Sequence, residues 1–212
     1  MICVSIGTLD VERCHQILKN VEMAEIRLDR IAASEADIGR IFSSHPRLVA
    51  TCRPGGMEER QRRGLLLRAI DSGAAYVDLE LDAAVDFRRP VIKRARSRGC
   101  RVIISHHDFV RTPERSELGR LVRRCFRAGA DIAKIACRVL TPRDRAALLG
   151  LLSGPGPVVV AGMGRAGRIV RIVAPLLGSP FTYASISDGE PTADGQVSAD
   201  ETRRILETLN NV

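Results

Sequence analysis

Eight short runs of apolar, mostly β-branched residues punctuate the chain at intervals of roughly 20 to 30 residues, with a helical pattern between each pair. The runs are Ile2–Ile6, Ala24–Leu28, Leu48–Cys52, Tyr76–Leu79, Arg101–Ser105, Ile132–Ile135, Val158–Ala161 and Phe181–Ala184. Between them fall amphipathic stretches such as Glu114–Arg127, where Leu118, Leu121, Val122, Cys125 and Phe126 recur at helical spacing while Arg120, Arg123, Arg124 and Arg127 point elsewhere. Thr141-Pro142 opens a further helix as cap and first-turn proline, and Ser198-Ala-Asp-Glu201 resembles a capping box before the last. Eight strands alternating with eight helices, with no low-complexity linker, predict a (β/α)8 TIM barrel over residues 1–212 as a single domain. An open doubly wound sheet is the alternative. It would normally carry a glycine-rich nucleotide turn after its first strand, where this chain reads Ile6-Gly7-Thr8-Leu9.

The 212 residues suffice for one domain with a large core. No apolar run approaches the roughly 20 residues needed to span a bilayer, and the apolar N-terminus is too short for a signal segment, so no membrane partner and a cytoplasmic location are expected. The six cysteines form no C-x-x-C unit and are expected to be reduced and packed. A net charge of +8 permits anion binding. With no Trp and 3% aromatic residues there is little material for stacking bases, so the charge is read as attraction for an anionic metabolite rather than for nucleic acid.

In a barrel the reacting groups sit where strands end and βα loops begin. Those points carry Glu25, Arg27 and Asp29 on the second strand, Arg53 after the third, Asp78 and Glu80 on the fourth, His107 after the fifth, Lys134 on the sixth, Met163-Gly164 after the seventh and Gly195-Gln196 in the last turn. Lys134 is flanked by Ile132, Ala133, Ile135 and Ala136, company in which a charged amine is costly and a nucleophilic neutral amine is favoured. Strand alternation puts Ile132 and Lys134 on one face and Ala133 and Ile135 on the other. Arg27 or Arg53 would lower the amine's proton affinity further and hold a substrate carboxylate.

His106-His107 admits a metal site, a satisfied core histidine or general acid/base work. The other histidines, His15 and His45, fall in or after helices, which disfavours a metal, and acid/base work by His107 beside an imine-forming lysine is the preferred reading. Gly162-x-Gly164-x-x-Gly167 superficially matches a dinucleotide fingerprint but follows the seventh strand, and is read as a turn that lets an anion approach backbone amides. The segment around Gly189, Pro191, Thr192, Gly195 and Gln196 is either a plain turn or a lid whose Thr192 and Gln196 bond substrate hydroxyls.

Taken in order, Glu25-Ile26-Arg27-Leu28-Asp29, Thr51-Cys52-Arg53, Tyr76-Val77-Asp78-Leu79-Glu80-Leu81, Ser105-His106-His107-Asp108-Phe109, Asp131-Ile132-Ala133-Lys134-Ile135-Ala136, Met163-Gly164 through Arg171, and Gly195-Gln196 resemble the type I 3-dehydroquinate dehydratases, the Schiff-base-forming class of the shikimate pathway. The resemblance implies a hydro-lyase in which Lys134 attacks the C3 ketone of 3-dehydroquinate and His107 moves the protons of a syn elimination to 3-dehydroshikimate. It implies substrate contacts from Ser5, Glu25, Arg27, Arg53, Met163, Arg171, Thr192 and Gln196, no metal or other cofactor, and a homodimer. Arg171 would take the substrate carboxylate through a charge-assisted fork.

The chain departs from the family at three places. The family's Glu-Gly-Gly after the third strand, whose glutamate orients the histidine, reads Pro54-Gly55-Gly56-Met57-Glu58-Glu59, which leaves open which carboxylate orients His107. A second methionine of the seventh strand becomes Ala161, and the lid's Ser-x-Pro-Gly-Gln becomes Thr192-Ala-Asp-Gly-Gln196, where loss of proline predicts a more mobile lid. A lysine-dependent aldolase would share the imine but not the His107 segment, Arg171 and the Gln196 turn. An RNA-binding protein would rest on charge alone, and a barrel that has lost activity is disfavoured by the presence of Lys134 and His107.

Overall fold

The computed structural model describes residues 1–7, 10–186 and 192–210. Strands β1 (Ile2–Ile6), β2 (Met23–Arg27), β3 (Leu48–Thr51), β4 (Tyr76–Glu80), β5 (Arg101–Asp108), β6 (Ile132–Arg138), β7 (Val158–Met163) and β8 (Thr182–Ser185) alternate with helices α1 (Val11–Leu18), α2 (Glu35–Ser43), α3 (Glu59–Asp71), α4 (Val85–Ser97), α5 (Arg115–Arg127), α6 (Pro142–Leu149), α7 (Arg168–Val173) and α8 (Ala199–Asn210). From β1 to β7 each strand pairs in parallel with its neighbour in sequence, and β8 pairs in parallel with β1, while no ladder joins β7 to β8 among the described residues. The result is a nearly closed (β/α)8 barrel. Among the described residues no helix is long and apolar enough to cross a membrane.

Local sequence explains where the helices begin. Thr141, the expected cap of α6, accepts through Oγ1 from the Asp144 amide while the Asp144 carboxylate accepts from the Thr141 amide, a reciprocal box, and Ser34 with Asp37 does the same for α2. Ser198 Oγ accepts from the Glu201 amide at the start of α8. All six cysteines are buried and unpaired.

Three strands outrun their apolar signal by two residues or more. The sequence predicts ends at Ser105 for β5, Ile135 for β6 and Ala161 for β7, yet the ladders continue through His107↔Ala136 and Arg138↔Met163. His107 therefore projects from a paired strand rather than a loop. The eighth strand is displaced by one residue, to Thr182–Ser185.

Alternation then sorts the strands into two environments. Outward residues such as Val4, Ile26, Ala50, Val77, Ile104, Ala133, Ile135 and Val160 pack under the helices in one large core. Inward, Cys3, Met23, Val49, Ile103, Ile132, Val159, Phe181 and Tyr183 fill the barrel with Tyr76 against them. Two residues further along each strand the same inward positions carry Ser5, Glu25, Thr51, Asp78, Ser105 and Lys134, all buried. A dry apolar plug thus supports a buried polar layer at the carboxyl ends of the strands.

Gly162 on β7 lies against Gly167, and a Cβ on Gly162 would sit 2.5 Å from the Gly167 carbonyl oxygen and 2.7 Å from its Cα. The Gly167 amide donates to Gly164 O and the Gly164 amide to Asp194 O, so these glycines serve a close crossing of backbone and two of the run's amides are already occupied. The expected anion cradle is therefore not formed by them. Gly162→Ala must push backbone against backbone, and we expect it to lower the unfolding free energy by about 3 kcal/mol. Urea unfolding of the variant checks this.

Candidate active site

The polar layer and the residues just above it line a cavity of about 330 Å³ at the carboxyl face of the barrel. Glu25, Arg27, Arg53, His107, Lys134, Met163, Arg171, Thr192 and Gln196, singled out from the sequence, all border it. Ser5 does not. Its hydroxyl lies behind the Glu25 side chain, donating to Glu25 Oε2 at 2.5 Å and accepting from Thr192 Oγ1 at 2.8 Å. Gly189 and Pro191 of the expected lid lie outside the described residues.

Lys134 is the centre of the layer. Its Nζ lies 2.8 Å from Asp78 Oδ2, 3.7 Å from Glu25 Oε1 and 3.9 Å from the centroid of the Tyr183 ring. The sequence suggested apolar surroundings, and this is corrected: the flanking Ala133 and Ile135 point outward under the helices, and the amine's neighbours come from β2 and β4 across the barrel.

Asp78 ties the layer together. Besides Lys134 it accepts from Arg53 Nη2 at 2.8 Å and from Ser105 Oγ at 2.6 Å, and Ser105 Oγ in turn accepts from Arg53 Nη1 at 2.9 Å. Burial alone would raise its pKa, but the charges of Arg53 and Lys134 outweigh that and hold the carboxyl well below the usual carboxylate range. Sequence reasoning noted Asp78 among the strand-end polar residues without giving it a role. Its partners are 25 and 56 residues away, so no local signal could have named them. Glu25 is held by Ser5 and by Thr51 Oγ1 at 2.9 Å, and Arg27 is paired bidentately with Asp29 at 3.0 and 2.6 Å.

His107 faces the same cavity, its ring stacked on Phe109 with centroids 6.0 Å apart. Burial lowers its pKa, and the nearby Arg53 and Lys134 charges lower it further against the opposing pull of Asp78, so the imidazole is kept neutral. His106, one residue earlier, alternates to the outside of the barrel, where its Nδ1 lies 3.7 Å from Asp82.

Arg171 supplies the unsatisfied charge. It is 3% exposed, donates through Nε to Gly162 O at 2.8 Å, and forms no ion pair among the described residues. Burial pushes its pKa down to about 10 despite Asp194 and Glu25 nearby. A buried guanidinium open to a cavity is a receptor for an anion. Met163 and Ala161 supply the apolar wall beside it.

The last turn is docked rather than loose. Gln196 Oε1 accepts from the Thr192 and Ala193 amides at 2.8 and 3.2 Å, Asp194 pairs with Arg138 from the end of β6, and a Cβ on Gly195 would meet Gly164 O at 2.5 Å. Asp194 stands where the related pattern has proline, and its ion pair anchors the turn that proline would have stiffened. The Thr192 hydroxyl borders the cavity and donates to Ser5 Oγ at 2.8 Å and towards Gln196 Oε1 at 3.1 Å.

A neutral base, a primary amine and an unpaired guanidinium around one cavity suit proton transfer next to an imine on a small carboxylate-bearing ketone. A family model described as type I 3-dehydroquinase matches residues 2–212. A 3-dehydroquinate dehydratase of Methanosarcina mazei is 35% identical over 210 residues, covering 90% of this chain and 86% of that one. That of Archaeoglobus fulgidus is 34% identical over 214 residues, covering 96% and 98%. Among solved structures, the 3-dehydroquinate dehydratase of Geobacillus kaustophilus superposes with a TM-score of 0.85 at 25% identity, over 99% of this chain and 91% of that one.

His107 makes stability depend on pH. Its folded pKa is depressed, so below about pH 6.5 the unfolded chain takes up a proton that the folded chain refuses. Stability is therefore full above that value and falls as pH drops towards the folded pKa. Below about pH 6.5 the slope should rise towards about 1.4 kcal/mol per pH unit until the folded-state pKa is reached. Urea unfolding across this window should show it, and His107→Gln should remove that share of the slope.

Proposed function

The chain belongs to the type I 3-dehydroquinase family, and from that membership we propose that residues 1–212 act as one catalytic barrel that dehydrates 3-dehydroquinate to 3-dehydroshikimate through an imine on Lys134. The observation that carries this reading is the Lys134 amine held at the wall of the cavity that also presents His107 and the unpaired, buried Arg171.

The steps follow from charge and position. Arg171 receives the substrate carboxylate, and that salt link orients the ketone carbon towards Lys134 Nζ. The ammonium gives up a proton, its nitrogen bonds to the carbonyl carbon, and the carbonyl oxygen leaves as water. The resulting iminium draws electrons from the neighbouring carbon. His107, neutral because it is buried among cations, accepts a proton from that carbon and an enamine forms. The enamine pushes out the hydroxyl on the next carbon, and the His107 imidazolium returns its proton to that oxygen, so water departs from the face on which His107 lies. A water molecule then hydrolyses the conjugated iminium, releasing the enone and restoring the amine.

Asp78 and Glu25 hold the amine in place and balance its charge while it is an ammonium, and they become the electrostatic partners of the iminium that replaces it. In the enamine the positive charge passes to the His107 imidazolium and returns to the nitrogen when the hydroxyl leaves, so the net charge of the site is conserved during the elimination. Gln196 and Asp194 keep the docked turn over the cavity.

Borohydride added with 3-dehydroquinate should reduce the imine to a stable adduct on Lys134, located by peptide mass mapping. Lys134→Ala should abolish both adduct and turnover, and turnover unchanged in that variant would exclude the mechanism. His107→Ala should slow turnover by about 10³-fold while still trapping some adduct. Arg171→Leu should raise KM roughly 10- to 100-fold, the cost of one lost charge-assisted contact, measured by steady-state kinetics.

A further inference from the structure

Among the described residues no hydrogen bond reaches the His107 ring, although it faces a layer rich in carboxylates. An imidazole that alternates between accepting and returning a proton needs one nitrogen presented to the substrate and the other fixed by a partner. The carboxylates can be sorted by what they already hold. Glu25 is taken by Ser5, Thr51 and Lys134, Asp78 by Arg53, Ser105 and Lys134, Asp29 by both arms of Arg27, and Asp194 by Arg138.

Glu80 differs. Among the described residues its ion-pair partners are Arg53 Nη1 at 3.6 Å and Arg62 Nη2 at 3.7 Å, both longer than a hydrogen bond. The β4–β5 register pairs Glu80 with Ser105, and His107 is the next inward residue on β5. With strands about 4.8 Å apart and two residues rising about 6.6 Å, the two side chains start roughly 8 Å apart on one face, a gap that a glutamate and an imidazole bridge together. Both also border a second cavity of about 510 Å³, outside the first, between the loop after β3 and the start of α4. Glu80 and His107 thus stand together in the partition between two cavities.

We infer that Glu80 is the positioning residue that accepts the hydrogen bond from the His107 ring nitrogen turned away from the substrate, doing from β4 what the family assigns to a glutamate in the loop after β3. Arg53 and Arg62 hold the Glu80 carboxylate at the wall without consuming its acceptor capacity. Glu59, the other glutamate at the outer cavity, is exposed on the first turn of α3 and borders only that cavity. The charges that already act on His107 are Arg53 after β3, Lys134 from β6, Asp78 from β4 and His106 beside it, and the proposed contact adds Glu80 from β4 to them. Burial raises the Glu80 pKa, which Arg53 and Arg62 oppose. A carboxylate at this place favours the imidazolium and partly offsets the cations, which suits a base that must hold its proton long enough to return it.

The inference rests on His107 as the proton carrier, and its test reads the histidine directly. In protein labelled with 15N-histidine, His107, assigned through His107→Gln, should show a single neutral tautomer, and Glu80→Gln should lower its titration midpoint by about one pH unit. Glu59→Gln should leave both unchanged. The acid limb of the kcat/KM profile should move down by the same amount in Glu80→Gln while the borohydride adduct on Lys134 persists. A purely structural role would lower activity without moving either titration. If Glu80→Gln does not fold, Glu80→Asp keeps the charge at shorter reach and should titrate between the two. A folded Glu80→Gln, or failing that a Glu80→Asp, with the wild-type His107 titration overturns the inference. Wild-type protein without dehydratase activity would instead overturn the proposed reaction while leaving the His107 spectrum readable.

Discussion

The buried ion pair between Lys134 and Asp78 is the contact around which the rest of the site is arranged. Both side chains are almost wholly removed from solvent, so each charge would be costly if left alone. The cost is met by a closed set of contacts: Arg53 and Ser105 complete the shell of Asp78, while Glu25, fixed by Ser5 and Thr51, stands on the other side of the amine. Such a network stabilises only when every member is satisfied, which accounts for so many small hydroxyls on the inner face of β1, β3 and β5.

That layer exists because the barrel supplies a floor for it. The apolar plug of Cys3, Met23, Val49, Ile103, Ile132 and Val159 excludes water from below, and the helices exclude it from the sides. Water and ligand reach the polar layer only through the carboxyl face. In this setting the electrostatic terms acting on His107 and Arg171 are large, and each is left with something missing. His107 is neutral among cations, and Arg171 is a buried cation that forms no ion pair among the described residues. Groups that the fold maintains at a cost and leaves unfinished mark where a ligand completes the structure.

The closing turn follows the same logic at the surface. Proline would restrain that turn through the backbone, whereas here an ion pair between Asp194 and Arg138, the Gln196 side chain and the close approach of Gly195 to Gly164 restrain it through contacts. In this chain those contacts hold the turn from Thr192 to Gln196 at the edge of the cavity.

Much of this was legible in the chain before any coordinates. The eight apolar runs and the intervening amphipathic stretches specify a (β/α)8 barrel because periods of two and 3.6 residues are local properties. The capping residues Thr141 and Ser198 likewise mark helix starts through contacts made within three residues. The candidates at the mouth could be named locally as well, since strand ends face the mouth in any such barrel. What the sequence alone misjudged were environments. Lys134 looked apolar because its neighbours in sequence are apolar, Ser5 was expected among the cavity contacts but does not border the cavity, and His107 seemed to lie beyond its strand. Pleating turns adjacent residues to opposite faces and barrel closure brings distant strands together, so the partners of Lys134, Arg53 and His107 are decided by register and curvature, which only the tertiary structure specifies.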